Sequence, residues 1–301
     1  MPLPAVAYAS EPAVDAASGD DAFEPQLGRH GKDVMWLPTP DALVARMLSM
    51  AGLGPQDKLV DLGSGDGKIV IAAARDFQAQ ALGVEFDPKM VEVSRRNAQD
   101  AGVSERARFV QGDIFEAEFP QATVVAMYLL PELNLRLRPK LMAMAPGTRI
   151  VTHQFDMGRW QPDEASLMAN RAGYLWIVPA NAGGQWQLNY PLEGETGQAR
   201  LDIAQIFQKI QGSAELGALK TTLRQPRLSG ERIAFAFTDA RGELREFNGV
   251  IQGERMRGTV TGPQGSASFT AKRIGAAPPI GGSGPPSQQE LNAAAAALGG
   301  E

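Results

Sequence analysis

The sequence predicts an α/β fold: a doubly wound, Rossmann-like sheet followed by a small antiparallel β-rich, barrel-like unit. Three observations predict it. Short apolar runs alternate with helical periods from about residue 41 to residue 178, as βαβ units require. A glycine-rich turn, Val60-Asp61-Leu62-Gly63-Ser64-Gly65-Asp66-Gly67, links an apolar run to an Ala/Ile/Val-rich helical stretch. From about residue 184 the helical period fades, and alternating apolar residues separated by turn signals replace it.

The elements follow in order. A first helix spans about 41 to 51, with Thr39 or Asp41 near its cap and Leu43, Val44, Met47 and Leu48 on one apolar face. The first strand covers about 58 to 62, and the helix after the glycine turn holds Ile69, Val70 and Ile71. A second strand, about 81 to 85, ends at Glu85; its helix begins at Pro88 and stops at Gly102. A third strand covers about 107 to 111 and a fourth about 122 to 127, followed by a helix from Pro131 to about residue 143. Pro146-Gly147 marks a turn before a fifth strand, Arg149 to His153. Tyr174 to Val178 reads as a sixth strand and Gln185 to Leu188 as a candidate seventh.

Beyond them, Leu201 and Ile203, Ile233, Phe235 and Phe237, Phe247 and Ile251, Met256 and Val260, and Phe269 and Ala271 alternate as in a meander that closes as a barrel or a sandwich. A structural or substrate-positioning role is expected for it. The expected organisation is a disordered tail over 1–32, the doubly wound domain over 33–183, the β-rich unit over 184–274 and a flexible tail over 275–301, in which an Ala-rich stretch is a candidate short helix.

Composition narrows the function. The chain has 301 residues, 44% hydrophobic and 21% charged, which suits two modest domains. Its net charge of -5 argues against a nucleic-acid backbone as the main partner. No apolar run is long enough to span a bilayer. Without cysteine, disulfides and thiolate metal sites are excluded, and the two histidines, His30 and His153, fit no metal-ligand spacing. Met1 to Ser10 reads as a plain tail, which favours the cytoplasm. Ala7-Tyr8-Ala9 resembles a small-residue cleavage site, and a signal remnant there would imply the periplasm.

A glycine turn between strand and helix lets a ligand approach the backbone, and dinucleotides and S-adenosylmethionine both use one. The spacing here is G-x-G-x-G, unlike the G-x-G-x-x-G of dinucleotide sites. Asp61 and Asp66 in the turn would repel a pyrophosphate but attract an ammonium and a sulfonium, which points to S-adenosylmethionine. Gly63, Ser64, Gly65 and Gly67 would line its backbone cradle. Glu85, at a strand end, is placed to take two ribose hydroxyls. Asp113 could accept the adenine amine and Ile114 pack on the ring; Asp87 before Pro88 reads as a helix cap.

Taken together, residues of about 33 to 180 resemble class I, seven-strand S-adenosylmethionine-dependent methyltransferases. Asp61 to Gly67 matches that family's first motif, Glu85 its ribose-binding acid and Asp113 its adenine-contacting acid. Trp36-Leu37-Pro38-Thr39-Pro40, the helix after it, the glycine turn and Gly83-Val84-Glu85 are similar to lysine methyltransferases of the ATP-synthase c-subunit type and, more remotely, to non-SET histone lysine methyltransferases. The resemblance implies that Trp36 and Thr39 touch the cofactor and that the acceptor is a protein lysine. Tyr128-Leu129-Leu130-Pro131-Glu132 stands where the histone enzymes carry an Asn-rich motif. A lysine must lose a proton before attack, so Tyr128, Glu132 and, more loosely, Asn134 are candidates at the methyl end. Tyr128 reads equally as an aromatic wall for an ammonium or as a core ring. His153 reads as a base or as a structural histidine, with Thr152, Gln154 and Asp156 beside it. Two alternatives stay open: a small-molecule acceptor in a pocket shaped by the β-rich unit, and a non-catalytic binder.

Overall fold

A computed structural model describes residues 39–168, 170–192 and 195–297. Trp36 and the expected 1–32 tail lie outside them. Among the described residues the first half of the chain builds α1 (Asp41–Met50), β1 (Lys58–Leu62), α2 (Lys68–Asp76), β2 (Gln80–Glu85), α3 (Pro88–Asp100), β3 (Ala107–Gln111), β4 (Val124–Met127), α4 (Pro131–Met142), β5 (Arg149–His153), β6 (Glu164–Met168) and β7 (Arg171–Ile177). These strands form a seven-stranded sheet in the order β3-β2-β1-β4-β5-β7-β6. β1 to β5 run parallel, while β7 is antiparallel to β5 and to β6.

Parallel strands are covered on both faces, and β1 and β4 are accordingly almost wholly buried. Leu43, Val44, Met47 and Leu48 of α1 join Val70, Ala73 and Ala74 of α2 on one face. Leu133, Leu137 and Leu141 of α4 cover the other, with Trp160 and Trp176. The strand order reverses between β1 and β4, where open α/β sheets bind ligands outside the carboxyl ends of the strands.

The crossover from β5 to β6 has no helix. Residues 154–163 are too few for a helical crossover, and the chain descends the sheet face as an irregular strap carrying Trp160. The β6 strand has no sequence signature because its residues, EASLM, show no apolar alternation and lie at the sheet edge.

The second half forms a single nine-stranded antiparallel sheet. Its strands are β8 (Gly184–Leu192), β9 (Glu195–Ile206), β10 (Lys209–Leu216), β11 (Leu219–Thr222), β12 (Arg224–Ser229), β13 (Arg232–Thr238), β14 (Leu244–Gln252), β15 (Arg255–Gly262) and β16 (Gly265–Ile274). The order β11-β10-β9-β8-β16-β15-β14-β13-β12 curls until β10 and β12 lie side by side, with the Leu223 N–H donating to the Gly212 carbonyl at 2.9 Å. The sheet is thus nearly closed. Its interior is filled: the Phe247 ring lies 4.9 Å from Phe235 and from Phe237, 5.6 Å from Tyr190 and 5.3 Å from Phe269.

Two expectations need correction. Gln185 to Leu188 does not extend the parallel sheet; it lies within β8 and pairs with β9 and β16. Residues 275–297, the described part of the expected flexible tail, are not simply flexible, and the candidate short helix is present. They carry α5 (Gln288–Ala296), closed by a Ser287/Glu290 capping box, and Glu290 binds the Arg138 guanidinium of α4 at 2.8 Å. A segment rich in Gly, Pro and Ala has no periodicity to reveal such docking.

The two halves share a core. Phe207, at the tip of the β9–β10 hairpin, is 3% exposed and stacks on Trp160, ring centroids 6.0 Å apart. The Arg138 guanidinium sits over the same ring at 5.6 Å. Gln208 donates to the Gln161 carbonyl at 2.7 Å, and the Ala180 N–H donates to the Gly230 carbonyl at 2.8 Å. The linking residues are held by buried Gln205, which bonds the N–H groups of Ala182 and Gly183 and the carbonyls of Ala180 and Phe207.

Candidate active site

The site is built at the carboxyl ends of β1, β2 and β4. After Leu62 the chain turns sharply, and Gly63, Gly65 and Gly67 all take positive φ, +78°, +54° and +84°. Only glycine accepts these angles without strain, and the path brings α2 and the loop against neighbouring backbone. The N–H groups of Gly63 and Ser64 both donate to the Val84 carbonyl, which locks the loop to β2. Gly83 makes this possible: a Cβ there would stand 2.5 Å from the Ser64 hydroxyl and 2.5 Å from the Phe109 ring.

Around this loop the acids converge. Glu85 is half-buried; one carboxylate oxygen accepts from the Gly65 N–H at 2.9 Å and the other from the Asp87 N–H at 3.0 Å. Asp61, at the end of β1, is 2% exposed, and its Oδ1 has no hydrogen-bond partner among the described residues. Burial pushes its pKa up to about 8, with further contributions from the charges of Glu85 and Asp66. Burial also raises Asp66, although the Lys68 N–H donates to it at 3.3 Å. A buried carboxylate without a donor is costly unless a cation completes it. The Ser64 hydroxyl, also buried and unpartnered among the described residues, adds a second open polar position.

Asp113 follows β3, and its Oδ1 accepts from the Phe115 N–H at 2.9 Å, so this carboxylate caps its own turn. Ile114 is partly buried and packs against the core that holds Val60, Leu62 and Val84. Asp87 caps α3, accepting from the Lys89 N–H at 2.9 Å.

At the other end of the site, Tyr128 leaves β4 half-buried, its ring centroid 3.9 Å from that of His153 and 6.4 Å from that of Phe155. Glu132 is exposed in the first turn of α4, where a carboxylate suits the helix dipole. Asn134 is fully buried and donates to the carbonyls of Phe155 and Asp156, both at 3.2 Å, while Thr152 donates to the Phe155 carbonyl at 2.6 Å. These bonds hold a sharp turn in which Gln154 takes φ +65°. Thr39 does not cap α1, whose N-cap is Pro40; its hydroxyl lies 3.0 Å from His153 Nδ1. The sequence offers no signal for this pair, which is separated by 114 positions.

His153 is 1% exposed, and burial, helped by the Arg171 charge, pushes its pKa down from 6.5 to about 4. The unfolded chain therefore holds one more proton than the folded one between these values. This contribution to stability is fully present above about pH 6.5 and is lost as the pH falls toward 4. As the pH is lowered from about 6.5 toward 4, the urea midpoint of the native protein should shift downward relative to that of His153→Asn. Equal slopes would show that the imidazole is not held neutral.

The sheet order, the glycine loop and the acids at the strand ends define a class I S-adenosylmethionine-dependent methyltransferase. Comparison with known proteins is specific. A family model described as the ANTKMT methyltransferase domain matches residues 61–164. A protein-lysine N-methyltransferase from Saccharolobus islandicus (strain REY15A) is 40% identical over 151 residues, covering 48% of this chain and 94% of that protein. The chain belongs to this protein-lysine N-methyltransferase family through about half of its length. The lysine N-methyltransferase of the ATP synthase c-subunit from Mus musculus is 38% identical over 109 residues, 36% of this chain and 44% of that protein, so this chain spans under half of that relative. A solved structure, an RNA methyltransferase from Salinibacter ruber with S-adenosyl-L-homocysteine, is 49% identical, covers 47% of this chain and 94% of its own, and has a TM-score of 0.47. The protein is a methyltransferase, and S-adenosylmethionine is its methyl donor. The residues present suit that donor: Asp61, buried with an orphaned oxygen, and a second acid, Asp66, stand at the glycine loop, where an ammonium or a sulfonium would supply the missing charge.

Proposed function

We propose that this chain transfers a methyl group to a lysine side chain of a protein, with the acceptor arriving past Tyr128. The observation that carries the donor half of this reading is Asp61, a buried carboxylate with one oxygen lacking a partner among the described residues, beside a glycine loop. In this reading Asp61 takes the ammonium of the cofactor's methionine end. Glu85 takes the ribose hydroxyls while keeping the Gly65 N–H. Asp113 and Ile114 meet the adenine, and the backbone of Gly63, Ser64, Gly65 and Gly67 forms the floor. By the family resemblance, Trp36 and Thr39 would touch the cofactor's methionine end.

The cofactor supplies an activated methyl on a sulfonium, so the protein needs no nucleophile of its own. What the chain's residues contribute is orientation and a place for charge. The Tyr128 face attracts a lysine ammonium by cation–π interaction. Exposed Glu132 receives the proton that the ammonium must lose, directly or through water, before its lone pair can attack. The lysine part of the reading is supported by the relatives, which include enzymes named for the ATP synthase c-subunit and for the adenine nucleotide translocase.

The test combines binding and product. Calorimetric titration should give binding of S-adenosylmethionine and S-adenosylhomocysteine but not of NAD. Incubation with tritiated S-adenosylmethionine and cell lysate, followed by acid hydrolysis, should place the label in Nε-methylated lysine. Label in nucleotides or in small molecules would overturn the lysine acceptor. Failure of both sulfur compounds to bind would overturn the site itself.

A further inference from the structure

The acceptor end holds a buried arrangement that the reaction as outlined does not use. Thr39 is 5% exposed and His153 1% exposed, and they meet through the threonine hydroxyl and the ring Nδ1 at 3.0 Å. Either the hydroxyl or the Nδ1–H is the donor. The His153 ring lies against Tyr128, with centroids 3.9 Å apart and planes 34° apart. His153 Nε2 is buried with no hydrogen-bond partner among the described residues. The backbone on either side is fixed: the Gln154 N–H donates to the Ala172 carbonyl, and the Phe155 carbonyl is gripped by Thr152 and Asn134. His153 therefore has little freedom, and neither has a ring packed upon it.

We propose that His153 is a positioning residue for methyl transfer: Thr39 fixes its imidazole, and the imidazole fixes the Tyr128 ring toward the incoming amine. The inference rests on the reading that Tyr128 faces the acceptor. It assigns Thr39 a role through His153 in addition to the cofactor contact that family resemblance implies. It also removes His153 as the proton acceptor, since an imidazole held neutral down to about pH 4 binds a proton too weakly at neutral pH. A buried ring of this kind serves geometry, and a misplaced aromatic wall weakens the hold on an amine while leaving the cofactor's own contacts intact.

The experiment uses the full chain and two ligands, so that no natural acceptor is needed. One is S-adenosylhomocysteine. The other is an aza analogue of S-adenosylmethionine carrying an alkylamine arm in place of the methyl group. The ratio of the two dissociation constants reads the acceptor end alone. His153→Ala should weaken the alkylamine analogue by about tenfold and leave S-adenosylhomocysteine within about twofold, and Thr39→Val, whatever its own cofactor contact costs both ligands, should lower the ratio by a similar factor. Thr39→Ser, which keeps the hydroxyl, should bind both as the native protein does. In the double variant the losses should be less than additive, because both changes break one chain of contacts.

If Tyr128→Ala leaves the ratio unchanged, the reading of Tyr128 as an acceptor contact fails. If Tyr128→Ala lowers the preference for the analogue but Thr39→Val and His153→Ala do not, the positioning role is overturned. A loss of S-adenosylhomocysteine affinity in His153→Ala as large as the loss for the analogue would overturn it as well, by showing a general structural role.

Discussion

Replacing Asp61 with Asn should weaken S-adenosylmethionine binding by about 1.5–3 kcal/mol, the range for a hydrogen bond to a charged group, while leaving the free protein at least as stable as before. The two effects have one cause. In the free protein Asp61 is buried, its Oδ1 is unpartnered among the described residues, and its pKa stands near 8. A carboxyl group whose folded pKa is raised favours the folded state below its unfolded value, and that contribution is lost as the pH rises through the folded value. As the pH rises from about 4 to about 8, the native protein should therefore lose stability relative to Asp61→Asn, which lacks this component. An ammonium placed against Asp61 restores the ionised form, so binding at neutral pH should release a proton. Titration in buffers of different ionisation enthalpy measures that release directly. Normal affinity in Asp61→Asn, or no proton release in the native protein, would remove Asp61 from the cofactor site.

The second large effect is expected far from the chemistry. Phe207→Ala should destabilise the protein by about 3–5 kcal/mol, the usual range for a buried phenylalanine. The ring stacks on Trp160, lies beneath the Arg138 guanidinium and is packed by the backbone of Gly282, where a Cβ would come within 2.5 Å. It belongs to the same buried cluster as Trp160, Trp176 and Val178. The β-rich half is thus part of the methyltransferase core, and urea unfolding should show one transition in which cofactor binding and β-sheet signal are lost together. Two separate transitions, with Phe207→Ala shifting only one of them, would show that the halves fold independently.

Much of the cofactor half is legible in the sequence because its signals are local. The glycine turn, Pro88 and Pro131 at helix starts, Gly102 after a helix, and Glu85 at a strand end each act within a few residues. The strand ends carry the site in this topology, so a correct reading of β1 to β5 brings the acids together without further information. The same locality explains the β-rich half: Phe235, Phe237, Phe247, Ile251, Val260 and Phe269 alternate along their strands and are all buried. It also explains which strands escape a sequence reading there. β10, β11 and β12 carry mostly polar residues with little alternation, so nothing local marks them.

The order of elements and the kind of chemistry are written in the chain itself, since glycine at positive φ and a carboxylate at a strand end have few other uses. Three features came only with the closed fold. It turned Thr39 away from a helix cap and toward His153, it sent Phe207 across to Trp160, and it docked Glu290 on Arg138. In each case the partners are far apart in the chain, and the deciding term is the burial of a ring, a hydroxyl or a guanidinium that must find a complement once water is removed. No periodicity records such a demand; it exists only when the chain has closed on itself.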